Sequence, residues 1–340
     1  MIRADLDSIP AYVPGARNDA ALKVSSNETA AAPLPSAARA MAEAAAGANR
    51  YPDMGAVELK AALAEHLGLT PEQVAVGNGS SALCQQLAQI TCTPGDEIIF
   101  PWRSFEAYPI FARIVGATPV AVDLLADGRH DLDAMAAAIT ERTRLIFLCN
   151  PNNPSGQTLT QGEFDEFMAK VPTDVVVGLD EAYFEYNRAE DTPVATEAIA
   201  ERPNVVGLRT FSKAYGLAGV RAGYAFGASE LMQALNKVAI PFAVSSVAQA
   251  GAIASLNAAD ELMERTEETV AVRDEVADEL GALRSEANFV WLPGVDAQQV
   301  AAAMAEQNVL VRAFPEGVRV TVTTEDEAQR VIAAWRAAGL

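Results

Sequence analysis

Histidine and cysteine are scarce in this sequence, with two and three among 340 residues. His66 and His130 stand far apart, so a histidine-rich metal site or a Ser-His-Asp triad has little material, and no metal is expected. Cys84, Cys92 and Cys149 are odd in number and match the spacing of neither a disulfide framework nor a zinc site, which leaves buried thiols as the expectation. There is no run of eighteen apolar residues, which removes a transmembrane helix. The first residues, Met1-Ile-Arg-Ala-Asp-Leu-Asp, carry acids where a signal peptide carries basic residues and then an apolar stretch, so a cytoplasmic protein is expected. Positive charge is also in short supply. With 25 Lys+Arg against 45 Asp+Glu, the net charge of -20 excludes nucleic acid and anionic membrane as natural partners. An anionic ligand must then be held locally, by a few arginines, hydroxyls and helix N-termini.

Half of the residues are apolar, and at this length one large and one smaller domain are expected. Short β-branched apolar runs alternate with segments of helical length, the pattern of a mostly parallel sheet covered by helices on both faces. Seven strands are predicted, at 74–77, 97–100, 118–122, 145–148, 175–179, 205–210 and 223–226. The alanine-rich 37–48 is read as a helix, as are 80–90 and 163–171. From about Ala258 a long charged helix, 260–283, leads to strands at 288–292, 309–312 and 318–322 and helices at 297–307 and 325–338, enough for a small α+β domain.

The chemistry sits at the expected C-terminal ends of strands, where open α/β sheets bind ligands. In Thr210-Phe-Ser-Lys213-Ala-Tyr-Gly-Leu-Ala-Gly-Val-Arg221, an amine able to form a Schiff base lies among groups suited to a phosphate: Thr210, Ser212 and Arg221. In Val76-Gly-Asn-Gly-Ser80-Ser81, a strand-to-helix turn, Gly79, Ser80 and Ser81 are positioned to cradle a phosphate from the other side. Asn153, in Asn150-Pro-Asn-Asn-Pro-Ser-Gly156, can donate to a ring hydroxyl. Asp180 follows a fully apolar strand, and a buried acid there needs a partner such as a protonated pyridine nitrogen. Phe105 can cover one face of a ring. Taken singly, each has an ordinary structural explanation: a surface turn, a capped helix, a proline turn, a core aromatic. Together, in strand order, they describe a site for pyridoxal 5'-phosphate.

With Ser25-Ser-Asn-Glu28, Asn49-Arg-Tyr51-Pro-Asp53, Asp180-Glu-Ala-Tyr183 and Ala287-Asn-Phe289 added, the chain resembles the fold type I pyridoxal-phosphate aminotransferases over essentially its whole length. Within them it resembles the histidinol-phosphate aminotransferase group. The segments Gly79–Leu87, Trp102–Pro109 and Ser26–Thr29 look most like the actinobacterial aromatic amino acid (phenylalanine) aminotransferases. Typical histidinol-phosphate enzymes instead have an acid near Ser81 and a Pro-x-Gly-Pro run where this chain has Thr29-Ala-Ala-Ala-Pro33.

The resemblance implies a fold type I α/β architecture, a large domain with a mostly parallel seven-stranded sheet and a small α+β C-terminal domain. The expected divisions are an arm at 1–28, packing near the active site and small domain, the cofactor-binding domain at 29–258 and the small domain at 259–340. It also implies roles. Lys213 is the Schiff-base lysine, Asp180 serves the ring nitrogen, Asn153 and Tyr183 serve the phenolate, and Ser80, Ser81, Thr210, Ser212 and Arg221 hold the phosphate. Tyr51 reaches the phosphate of a neighbouring subunit, which requires a homodimer. Arg319 clamps the substrate carboxylate, and Tyr12, Asn27 and Asn153 lie near the substrate.

The implied reaction is ping-pong transfer from an aromatic amino acid to 2-oxoglutarate, with histidinol phosphate as the alternative donor. Lys213 must be neutral to act as a base, and a neighbouring arginine, together with the internal imine, is expected to keep it so. A decarboxylase or carbon–sulfur lyase would need the same lysine and aspartate. A cofactor-holding transcriptional regulator would need a DNA-binding segment, for which the charge is wrong.

Overall fold

The computed structural model describes residues 2, 6–7, 9–11, 18 and 20–340. All seven strands expected in the large sheet are present: β2 (Val74–Gly77), β3 (Glu97–Trp102), β4 (Thr118–Asp123), β5 (Thr143–Cys149), β6 (Val176–Asp180), β7 (Val205–Thr210) and β8 (Gly223–Gly227). They follow β1 (Leu22–Lys23) in the chain and lie in the order β2-β8-β7-β6-β5-β3-β4. The run from β7 to β4 is parallel, and β8 is antiparallel to both of its neighbours.

The near-continuous apolar sequence of the central strands follows from burial on both faces. In β5, Ile146 and Leu148 enter one hydrophobic core while Leu145, Phe147 and Cys149 enter the other, the two-residue period of a strand. Parallel strands place their C-terminal ends along one edge, so Cys149, Asp180 and Thr210, each ending its strand, face a common crevice.

A second sheet, in the order β11-β12-β9, is antiparallel and is built from β9 (Phe289–Pro293), β11 (Arg312–Phe314) and β12 (Gly317–Thr321). The intervening β10 (Val309–Leu310) pairs in parallel with β1. Leu22 and Val24 thereby join a third core with Val290, Val318, Val320 and Trp335. The long helix Ala259–Leu280 places Leu262 in the first core and Val272, Val276 and Leu280 in the third. It stops three residues short of the expected end because Gly281 adopts a left-handed cap at φ 66°.

Among the described residues, no helix is long and apolar enough to cross a membrane, and no cluster of His, Cys, Asp and Glu has metal-binding form. The three cysteines are buried and free.

Candidate active site

A cavity of about 590 Å³ opens where the C-terminal ends of β5, β6 and β7 meet β12 and the segment Ser25–Glu28. Twelve of the residues expected at the site line it: Asn27, Ser80, Ser81, Phe105, Asn153, Asp180, Tyr183, Thr210, Ser212, Lys213, Arg221 and Arg319.

One end of the cavity is a cradle. The turn after β2 leads at Gly79, φ 82°, into the helix Ser80–Thr91, where the N–H groups of Ser80 and Ser81 precede the first bond of the helix, from Ala82 N–H to the Gly79 carbonyl. Arg221 donates to Ser212 Oγ at 3.2 Å and to the Ala218 carbonyl at 3.1 Å. A Cβ on Gly79 would lie 2.3 Å from Arg221 Nη2, and one on Gly223 would lie 2.3 Å from the Ser80 nitrogen. Only glycine lets these chains approach so closely. A helix N-terminus, hydroxyls and a guanidinium around one space form an anion site.

At the floor lies Asp180. Tyr108 donates to its Oδ2 at 2.7 Å, while Oδ1 is buried without a partner among the described residues. Burial raises its pKa to about 6. A buried carboxylate oxygen facing a cavity is suited to accept from a cationic N–H. Tyr108, stacked on Phe147 with ring centroids 4.4 Å apart, was not assigned a role from sequence. The available signal was the need of a buried acid for a donor.

Lys213 Nζ donates to the Ser26 carbonyl at 3.2 Å. Its pKa falls to about 8, chiefly through burial and then through the charge of Arg319, with Glu28 opposing. A neighbouring arginine, together with the internal imine, was the expected cause; Arg319 and Arg221 do lower the pKa, but removal from water is the larger effect. Tyr183 accepts from Asn27 Nδ2 at 2.9 Å, which leaves the phenol hydrogen to donate elsewhere, and burial raises its pKa. Asn27, at φ 54°, is oriented by Thr321, whose hydroxyl donates to Asn27 Oδ1 at 3.0 Å. Arg319 donates to Asn153 Oδ1 at 2.5 Å and to the Ser25 carbonyl at 2.7 Å. With its oxygen engaged, Asn153 has its amide N–H groups to offer.

Two expected residues lie apart from the cavity lining. Gly79 backs Arg221, and Tyr51 is 82% exposed, stacked on Phe242 at 4.6 Å. Tyr12 lies outside the described residues. The cavity also includes Glu28, Gln85, Ser104, Glu106 and Arg312, which sequence reasoning did not assign.

Residues 20–334 match the model of the family described as aminotransferase class I and II. The chain belongs to this family. It is an aminotransferase of α/β fold type I, and pyridoxal 5'-phosphate is its cofactor. The open oxygen of Asp180 and the glycine-lined cradle fit a pyridinium and a phosphate. A protein named aromatic amino acid aminotransferase from Corynebacterium diphtheriae is 69% identical, with 99% of each chain covered. One of the same name from Rhodococcus jostii is 58% identical, covering 94% of this chain and 91% of its own. Among solved structures, the Sinorhizobium meliloti histidinol-phosphate aminotransferase in complex with pyridoxal-5'-phosphate has a TM-score of 0.90 at 29% identity, covering 99% of this chain and 97% of its own.

Proposed function

We propose that this aminotransferase moves the amino group of an aromatic amino acid, phenylalanine or tyrosine, to 2-oxoglutarate in a ping-pong cycle in the cytoplasm. The observation that carries this is the apolar wall of the cavity, formed by Phe105, Ile110, Phe111, Ile114 and Phe314. Such a wall suits an aromatic ring. The names of the curated relatives at 67–69% identity support the same reading.

The cofactor, when bound, supplies an aldehyde that takes an amino group and a ring that holds the electron pair left when Cα loses its proton. Ser80, Ser81, Thr210, Ser212 and Arg221 hold its phosphate, and Gly79 allows their approach. Asp180 keeps a proton at the ring nitrogen and is itself positioned by Tyr108. Tyr183 and Asn153 would donate to the ring hydroxyl, and Phe105 would cover one face of the ring. Arg319 binds the substrate carboxylate as a two-pronged donor, with Asn153 beside it and Asn27 fixing the position of Tyr183. Lys213, held near neutrality by its dry surroundings, takes the Cα proton as a base and returns it as an acid.

Tyr51 has no role within its own subunit's cavity. We assign it to the neighbouring site of a homodimer, a reading supported by its exposed stack with Phe242 and by the nearby exposed Met54, Val57 and Ile240. Tyr12 belongs, on this reading, to the arm over the substrate.

The alternative donor is histidinol phosphate, which the name of the 29% identical Sinorhizobium structure keeps in view. Initial rates of glutamate formation from 2-oxoglutarate, with phenylalanine or histidinol phosphate as donor, decide between them. A higher kcat/KM for phenylalanine is expected. A preference for histidinol phosphate would overturn the aromatic reading, and failure to form glutamate from either would remove both.

A further inference from the structure

Two walls of the cavity come from different sheets. Ser104, Phe105, Glu106 and Ala107 follow β3 of the seven-stranded sheet, whereas Arg312, Phe314 and Arg319 belong to the β11–β12 hairpin of the three-stranded one. Two ion pairs join these walls. The inner pair faces the cavity: Glu106 accepts from Arg312 Nη2 at 2.8 Å, and both residues line the space that substrates enter. An amino acid and a 2-oxo acid each bring a carboxylate into that space, and 2-oxoglutarate brings two. The inner pair is therefore open to competition from the ligands themselves.

The outer pair is not. Arg103 Nε and Nη2 donate to the two carboxylate oxygens of Glu316 at 3.0 and 2.8 Å, a two-pronged bond, and neither residue is among those lining the cavity. The Arg103 guanidinium lies 4.2 Å from the centre of the Trp102 ring and 5.6 Å from that of Phe314, and its side chain is only 12% exposed. Each end of the pair is fixed in turn. The Arg103 carbonyl accepts from Asn152 Nδ2 at 3.2 Å and Ser104 Oγ donates to Asn152 Oδ1 at 2.7 Å, which ties this segment to the loop of Asn153. In the turn between β11 and β12, the Glu316 carbonyl accepts from the N–H of Gly294, just after β9, at 2.9 Å.

We infer that Arg103 and Glu316 are positioning residues that hold the Phe105 wall against the β11–β12 hairpin while substrates exchange. The amino donor and the 2-oxo acid use the same walls, so the pair serves both half-reactions and does not discriminate between ligands. Without it the walls are assembled for only part of the time, and a site competent for a fraction of the time binds every ligand more weakly by that fraction. The inference takes its probe substrates from the aromatic reading and does not depend on which donor is preferred.

The test compares wild type with Arg103→Met, Glu316→Ala and the double variant, all loaded with pyridoxal 5'-phosphate. It measures KM and kcat with phenylalanine and 2-oxoglutarate, and the dissociation constant of the unreactive acid 3-phenylpropionate, read from the cofactor's absorbance. Each single variant is expected to raise KM for both substrates about fivefold and to weaken 3-phenylpropionate by a similar factor, with kcat within about twofold of wild type. Because the two residues act through one bond, the double variant should be no worse than the more affected single one. Glu316 lies in a turn and its side chain is 44% exposed, so Glu316→Ala tests the inference by itself should Arg103→Met fail to fold. Unchanged KM values in the single variants, a kcat that falls as much as KM rises, or effects that multiply in the double variant would overturn the inference. A change confined to one substrate would do the same, since the pair would then be reading the ligand. Failure of the wild type to form glutamate from phenylalanine and 2-oxoglutarate would instead overturn the proposed substrates, and the 3-phenylpropionate constants would still decide the role of the pair.

Discussion

At the scale of the residue, the site depends on two ionisable groups pushed in opposite directions by the same dry cavity. Burial raises the carboxyl of Asp180 to about 6 and lowers the amine of Lys213 to about 8. Each shift disfavours the charged form, and each is useful: an acid that gains from a cationic partner and an amine ready to act as nucleophile and base. The sign of the lysine shift gives a measurable consequence. A depressed amine pKa means that the neutral, reactive fraction grows as pH rises through about 8, whereas an ordinary lysine becomes neutral only above 10. Covalent capture of pyridoxal 5'-phosphate by the cofactor-free protein, followed by absorbance, should accelerate with pH and level off with an inflection near 8. Lys213→Ala should abolish this capture and reduce turnover by on the order of a thousandfold or more. An inflection near 10 would show that the pocket does not depress the amine.

At the scale of the element, the strand-to-helix turn after β2 and the antiparallel strand β8 make the phosphate cradle together. Gly223 on β8 lies so close to Ser80 that an added Cβ would fall 2.3 Å from its backbone nitrogen and 2.7 Å from the carbonyl carbon of Gly79. Backbone cannot yield as a flexible side chain can. Gly223→Ala should therefore push the helix N-terminus out of position, weakening pyridoxal 5'-phosphate binding at least about tenfold and costing about 1–3 kcal/mol of stability. Fluorescence titration of the cofactor-free variant measures the first effect, and an unchanged dissociation constant would count against the cradle.

The sequence made these elements legible where their apolar runs are buried on both faces, as in β5 and β7. It was less informative where a distant partner decides the structure. The single strand expected at 309–312 is divided, because Val309–Leu310 pairs with β1 while Arg312–Phe314 turns to β12. Strand β3 continues through Pro101, which reads as a strand end. Its pairing with β5 has already stopped at Ile99, so the proline interrupts nothing on that side. Lys213 and Asp180 were visible because each lies in a short local motif. The Glu106–Arg312 pair and the Tyr108–Asp180 bond join segments far apart in sequence, so no local pattern announces them.

At the scale of the whole molecule, the question is whether one subunit holds a complete site. Tyr51 lies outside the cavity and carries one of the largest exposed aromatic surfaces, held flat against Phe242. An exposed ring of this kind, beside further exposed apolar side chains, fits a self-complementary interface about a two-fold axis. If Tyr51 serves the neighbouring subunit's phosphate, two damaged chains can repair each other. In Tyr51→Ala dimers both sites lack the phenol, and in Lys213→Ala dimers both lack the amine. A mixed dimer contains one site with the intact Lys213 of one chain and the intact Tyr51 of the other. Unfolding and refolding the two variants together in equal amounts should yield half mixed dimers, each with one good site, and so restore about a quarter of wild-type activity per subunit. Activity that never exceeds the average of the two parents would place Tyr51 in its own subunit's chemistry or in none, because only a shared site can be rebuilt from two broken chains.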